Sequence, residues 1–94
     1  MVGRDLAVLV EQSVQAGDLK KAIESAPVPA EVLVENVELF DVFRGAGIAE
    51  GMKSMAYSFT LRAEDRTLND EDITASVAAI LDALKEKFGA VLRG

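Results

Sequence analysis

Between Lys53 and Ala63 the chain alternates without a break, and no other feature restricts its fold as tightly. Met55, Tyr57, Phe59 and Leu61 fall on one side, and Ser54, Ala56, Ser58, Thr60 and Arg62 on the other. A period of two belongs to a β-strand with one buried and one uncovered face. Leaving large apolar side chains in water forgoes about 1.5–3 kcal/mol for each, so the Met55 side must meet a core. The serine-rich side need not. A strand with that asymmetry calls for a sheet covered by helices on a single face.

The neighbouring segments supply such a sheet. Val32 to Arg44 is rich in β-branched and aromatic residues and reads as a long strand. It joins the alternating segment through the glycine-punctuated stretch Arg44-Gly45-Ala46-Gly47-Ile48-Ala49-Glu50-Gly51-Met52, a connection suited to an antiparallel hairpin. Arg4 to Glu11 is a further strand, with Leu6, Val8 and Val10 on one face and Asp5, Ala7 and Leu9 on the other. A helix is predicted from Ala16 to Ser25, its stripe Leu19, Ala22, Ile23 and Ala26, ended by Pro27 and Pro29. Asn69 caps another helix whose first turn carries Asp70, Glu71 and Asp72. Ile73, Val77, Ile80, Leu81, Leu84 and Phe88 form its stripe, and Gly89 is a left-handed stop. Ala90 to Arg93 can add a short last strand. The order βαββαβ defines an α+β, ferredoxin-like sandwich: a four-stranded antiparallel sheet with both helices on one face.

Register then predicts what the other face shows. The Met55–Leu61 side faces the helices, so Ser54, Ala56, Ser58, Thr60 and Arg62 are open. On the first strand Ala7 and Leu9 are open. On the second, Phe40 and Val42 fit the core, which leaves Leu39, Asp41 and Phe43 open. The result is a floor of small residues, a carboxylate (Asp41) and an aromatic (Phe43), an arrangement suited to a flat ligand that stacks and hydrogen-bonds. Arg44 and Lys53 flank it and could hold phosphates. The plainer alternative is that Phe43 covers the sheet edge and Asp41 is simply solvated.

Composition excludes much else. Ninety-four residues make one domain, assigned to residues 1–94. The close fit of its first and last strands to the ends of the sequence reads as a domain cut from a longer chain, with Met1 supplied for expression. With 0 cysteines there is no disulfide, thiolate nucleophile or cysteine-held zinc, and with 0 histidines there is no Ser-His-Asp or Cys-His machinery. No catalytic residue, metal ligand or cofactor site is expected. The Gly45–Gly51 loop has the look of a dinucleotide-binding turn, but it joins antiparallel strands and opens no helix. Asp70-Glu71-Asp72 reads as a helix start and not as a metal cluster. A net charge of −6 disfavours non-specific attachment to a phosphate backbone. No apolar run spans a membrane or resembles a signal peptide, and a cytoplasmic location is expected.

One stretch carries a family resemblance. Leu39-Phe40-Asp41-Val42-Phe43-Arg44-Gly45, followed by Ile48-Ala49-Glu50-Gly51-Met52-Lys53-Ser54-Met55-Ala56, resembles the signature of the C-terminal ferredoxin-fold anticodon-binding domain of the bacterial phenylalanyl-tRNA synthetase beta subunit. Arg4-Asp5-Leu6-Ala7 resembles its opening strand, Arg66-Thr67-Leu68-Asn69-Asp70-Glu71 the entry to its second helix, and Phe88-Gly89 with Leu92-Arg93-Gly94 its terminus. The similarity runs over essentially the whole chain. It implies a non-catalytic module that grips the anticodon stem-loop of phenylalanine tRNA. The position of Phe43, usually a tyrosine in the family, stacks on the first anticodon base, a guanine; Asp41, Ser54 and Ala7 match positions that contact the same base. The implied partners are this tRNA, the rest of the beta chain and the alpha subunit. ATP and magnesium would be used elsewhere in the parent enzyme, and this domain would hold no cofactor. Two positions depart from the pattern: Phe43 lacks the phenol hydroxyl, and Ala49 stands where proline is usual. The other readings of the fold are a stand-alone ferredoxin-like protein-interaction or regulatory module, and an acylphosphatase-like enzyme, which lacks the phosphate cradle it would need after the first strand.

Overall fold

A computed structural model describes residues 2–45 and 47–93; Met1, Ala46 of the glycine-rich loop and Gly94 of the terminal motif lie outside the described residues. The elements run β1 (Val2–Glu11), α1 (Ala16–Glu24), β2 (Leu33–Phe43), β3 (Met52–Arg62), α2 (Asp70–Phe88) and β4 (Val91–Leu92). They form a four-stranded sheet in the order β2-β3-β1-β4, every neighbouring pair antiparallel. This is the ferredoxin-like α+β architecture.

The alternation of β3 becomes burial. Met55, Tyr57, Phe59 and Leu61 are exposed by 2% or less. They join Leu6, Val8 and Val10 of β1 in one cluster with Leu19, Ala22 and Ile23 of α1 and Ile80, Ala83 and Leu84 of α2. Because these strand residues share one face, both helices lie on that face and the opposite one has no helix over it. Tyr57 also ties the layers by a polar contact: its hydroxyl donates to the Ala16 carbonyl oxygen at 2.8 Å, at the first turn of α1.

The helix ends follow from local chemistry. Asn69 closes a capping box, its side chain accepting from the Asp72 N–H at 2.8 Å while the Asp72 carboxylate accepts from the Asn69 N–H at 3.1 Å. At the other end Gly89 sits at φ 64°, and the Ala90 N–H reaches back to the Leu84 carbonyl at 3.4 Å. That is a Schellman closure, and glycine is the residue that adopts its left-handed turn at least cost. Ser76, placed within the stripe of α2, is fully buried and satisfied, its hydroxyl donating to the Asp72 carbonyl at 2.7 Å.

Strand β2 departs from simple alternation, and this corrects two predicted positions. Its pairing with β3 slips between Glu35 and Glu38 and again between Leu39 and Asp41. Each slip inserts one residue, and a one-residue shift exchanges the faces of everything on its far side. Phe40 is the extra residue at the second slip; it is 58% exposed and takes no place in the core. Leu39 instead pairs with Tyr57, which puts it on the helix side and not on the open one. Val42 pairs with Met55 on the core side as predicted. At the first slip Asn36 adopts φ 54°, a left-handed conformation that asparagine tolerates better than most residues, and Val37 is buried beside it.

Ion pairs hold the far ends. Arg66 bridges Glu31 and Asp72, and Arg62 meets Glu35 at 2.6 Å. The Arg66 guanidinium, and after it the Asn69 N–H, hold the Asp72 carboxyl below its ordinary range; the bond from Arg62 does the same for Glu35. A carboxyl with a depressed folded-state pKa stabilises the fold above its unfolded pKa, and that contribution is lost as pH falls through the lower folded value. Thermal melts followed by circular dichroism should therefore change little between pH 7 and 5, where a chain with 0 histidines has no ordinary titrating side chain. The midpoint should fall once pH drops below the ordinary values of 4.5 for Glu35 and 3.8 for Asp72. Asp72→Asn should lower the plateau and flatten part of that fall; an unchanged acid slope would contradict this account.

Candidate functional site

The uncovered face is laid out in rows. Asp41 of β2 pairs with Ala56 of β3, and Ala56 with Ala7 of β1. In the next row Phe43 pairs with Ser54, Ser54 with Leu9, and Leu9 with Val91 of β4. Strand geometry puts same-face residues two apart within about 7 Å of one another. Asp41 and Phe43 therefore stand side by side on the edge strand, above a floor of Ala7 and Ala56 that presents nothing bulkier than methyl groups. The register brings together four of the six predicted site residues: Ala7, Asp41, Phe43 and Ser54.

Their surroundings differ. Asp41 is exposed, and no ion pair among the described residues engages it. Phe43 is 39% exposed, an aromatic platform still partly open to water. Ser54 is only 3% exposed, so the hydroxyl predicted to be free lies in a closed part of the face. Arg44 follows Phe43 directly and is exposed.

Lys53 is not part of this surface. It pairs with Val10, and the alternation that turns Ser54 outward turns Lys53 towards the helix side. Lys53 is 6% exposed, and its ammonium donates to the Val14 carbonyl oxygen at 2.6 Å, fastening the β1–α1 turn to β3. It is a structural tie and is withdrawn from phosphate binding. The period of two already contained this result, since Lys53 shares the parity of Met55.

One residue of the site was given no role from the sequence. Arg93, just past β4, sets its guanidinium carbon 5.2 Å from the centre of the Phe43 ring, within cation–π range. Nothing in the local sequence signals this contact, because it joins the two ends of the chain's sheet order. Further along the same face the chemistry turns acidic. Asp5 and Glu38 flank Ser58 in one row, at a shallow hollow also lined by Gly3, Arg4, Asn36 and Thr60. The face thus carries carboxylates and the Arg62–Glu35 pair at one end and an aromatic with Arg93 at the other. Such a surface offers little to a run of phosphates and more to the donor edge and π-face of a base. Among the described residues no cluster of acidic side chains is placed to hold a metal ion, and no helix is long and apolar enough to cross a membrane.

An antiparallel sheet with helices on one face and an aromatic–carboxylate pair on the other defines a ferredoxin-fold binding domain. The chain belongs to the ferredoxin-fold anticodon binding domain family, matching it over residues 1–93. It is 46% identical over 93 residues to the phenylalanine–tRNA ligase beta subunit of Geobacillus kaustophilus, which covers 99% of this chain and 11% of that protein. To the protein of the same name from Haemophilus influenzae it is 48% identical over 90 residues, and to that from Pectobacterium atrosepticum 51% over 90. The chain thus spans 11% of the length of these curated relatives.

Proposed function

We propose that the chain reads the anticodon stem-loop of phenylalanine tRNA, as the anticodon-binding domain of a phenylalanine–tRNA ligase beta subunit. The observation that carries this is the convergence of Asp41, Phe43, Ser54 and Ala7 in two adjacent rows of the uncovered sheet face. Three of them do something a splayed base requires: Phe43 offers a ring to stack on, Asp41 accepts from N–H groups on the base edge, and Ala7 leaves room; Ser54, 3% exposed, stands paired with Phe43 at the edge of the site. The domain itself makes and breaks no bond and holds no cofactor. Charging of the tRNA, with ATP and magnesium, belongs to the alpha subunit and the rest of the beta chain. The role here is to fix the anticodon so that the acceptor end reaches that distant site.

With a net charge of −6 the domain draws little from counterion release. Its affinity for an isolated stem-loop should be weaker than the 10⁻⁴ to 10⁻⁶ M typical of non-specific binding by basic proteins, with a shallow salt slope. A titration of the ¹⁵N-labelled chain with a phenylalanine anticodon stem-loop tests the reading. Shifts centred on Ala7, Asp41, Phe43 and Ser54, persisting at physiological salt, are expected. Shifts confined to α1 and α2, or equal shifts with a stem-loop of unrelated anticodon, would refute it.

A further inference from the structure

Arg93 and Phe43 lie at opposite edges of the sheet, on the same face, with β1 and β3 between them. The backbone of Arg93 is fixed beside β1, its N–H donating to the Ala7 carbonyl at 2.8 Å. From there its side chain crosses the open face to bring the guanidinium carbon 5.2 Å from the Phe43 ring centre. The crossing is possible because Ala7 and Ala56 carry only methyl groups in the row beside it. No carboxylate among the described residues pairs with Arg93, although Asp41 and Glu38 stand on the same face.

This contact occupies part of the ring surface on which a base would stack, while Phe43 stays 39% exposed. Two successive stacking steps need about 7 Å at about 3.4 Å each, more than the 5.2 Å present. A base can therefore enter between ring and guanidinium only if Arg93 lifts by roughly 2 Å or moves aside. Two features allow that. Arg93 lies beyond a β4 of two residues, and it is exposed. A guanidinium is also planar and weakly hydrated, so it stacks on a base as readily as on a phenyl ring.

We infer that Arg93 is the second jaw of the base site. It leans on Phe43 in the free protein and closes on the outer face of the incoming base, which is then held between ring and guanidinium. The ligand is a single unpaired nucleobase of an RNA loop. The inference rests on the anticodon reading above and adds to it a residue just past the far strand, already in contact with the ring before any base arrives.

The 94-residue chain has a core of its own and can be tested as it stands, with Arg93→Ala and Arg93→Lys. The probes are the phenylalanine anticodon stem-loop and the same stem-loop made abasic at the first anticodon position. Without RNA, the Arg93 Nε–H resonance should be ring-current shifted and should lose that shift in Phe43→Ala. On the intact stem-loop Arg93→Ala should bind about 5- to 20-fold more weakly, within the range set by one stacked base. Arg93→Lys should be nearly as weak, since an ammonium keeps the charge but has no plane to stack. On the abasic stem-loop all three proteins should bind alike. An equal loss on the abasic RNA would make Arg93 a phosphate contact, and full rescue by lysine would make it a bare charge; either result overturns the clamp. If the unmodified chain binds the intact stem-loop and Arg93→Ala binds it equally well, the clamp alone is wrong. If the unmodified chain binds neither RNA, the anticodon reading fails and the clamp with it.

Discussion

Replacing Tyr57 with alanine is expected to remove about 3–5 kcal/mol of stability, the usual cost of emptying a fully buried aromatic site. Against the 0.05–0.15 kcal/mol per residue typical of natural domains, that is a large part of the total for 94 residues. Tyr57 is wholly buried and stands at the centre of the sheet, paired with Leu6 on one side and Leu39 on the other. Tyr57→Phe separates its two contributions. It keeps the ring and loses only the 2.8 Å bond to Ala16, for about 0.5–1.5 kcal/mol. Alkali gives a second readout. Burial pushes the Tyr57 hydroxyl from 10.0 up to about 12. A group that ionises later in the folded than in the unfolded state gives stability that is complete below the unfolded pKa. That stability is lost as pH rises from about 10 through about 12. Urea titrations at pH 8 and across pH 9.5–11.5 should show this loss in the unmodified protein and much less of it in Tyr57→Phe. If Tyr57→Phe cost as much as Tyr57→Ala, the bond to α1 and not the packing of the ring would be what holds β3.

Tyr57 also shows how far the sequence could be read. Its alternation on β3 gave the buried face, and that face placed the helices, because four large apolar residues at period two have one physical solution. The caps at Asn69 and Gly89 were legible for a similar reason: they depend on the chemistry of one or two residues and their near neighbours. The positions misread depend on events that composition does not mark. Leu39 and Phe40 exchanged places because β2 carries an extra residue, and a bulge in a run of apolar residues leaves the pattern locally intact while shifting its phase. Asn36 within Glu35-Asn36-Val37 was the available signal for the first slip, a polar residue that tolerates positive φ inside a strand of β-branched neighbours. Lys53 was misread in a different way. Its parity placed it inside, but charge alone argued for the surface; a long stem with a carbonyl at its tip resolves the conflict. The contact between Arg93 and Phe43 could not be found by any local pattern, since it depends on strand order across the whole sheet.

Phe43 and Asp41 should fail in different ways, and the difference tests the base site more sharply than either loss alone. Phe43→Ala removes a stacking platform. Such substitutions cost about 1–3 kcal/mol per base, or roughly 5- to 150-fold in affinity at 1.4 kcal/mol per tenfold. Every base has a π-face, so the loss should be nearly the same for stem-loops with guanine or adenine at the first anticodon position. Phe43→Tyr should bind at least as well as the unmodified protein, since it keeps the ring and adds a hydroxyl. Asp41→Ala acts on the base edge. Guanine presents N1–H and an amino group, both donors to a carboxylate; adenine turns an unprotonated nitrogen towards it, a lone pair against a negative charge. A good two-point base contact is worth about 1–3 kcal/mol of discrimination, so Asp41→Ala should weaken the guanine stem-loop and leave the adenine one unchanged or slightly improved. The two affinities should then converge. Two titrations of each protein under one salt condition, one per stem-loop, decide the matter when repeated within a whole ligase carrying the same changes. Equal loss on both RNAs in Asp41→Ala would remove Asp41 from base reading, and base-dependent loss in Phe43→Ala would show that the ring does more than stack.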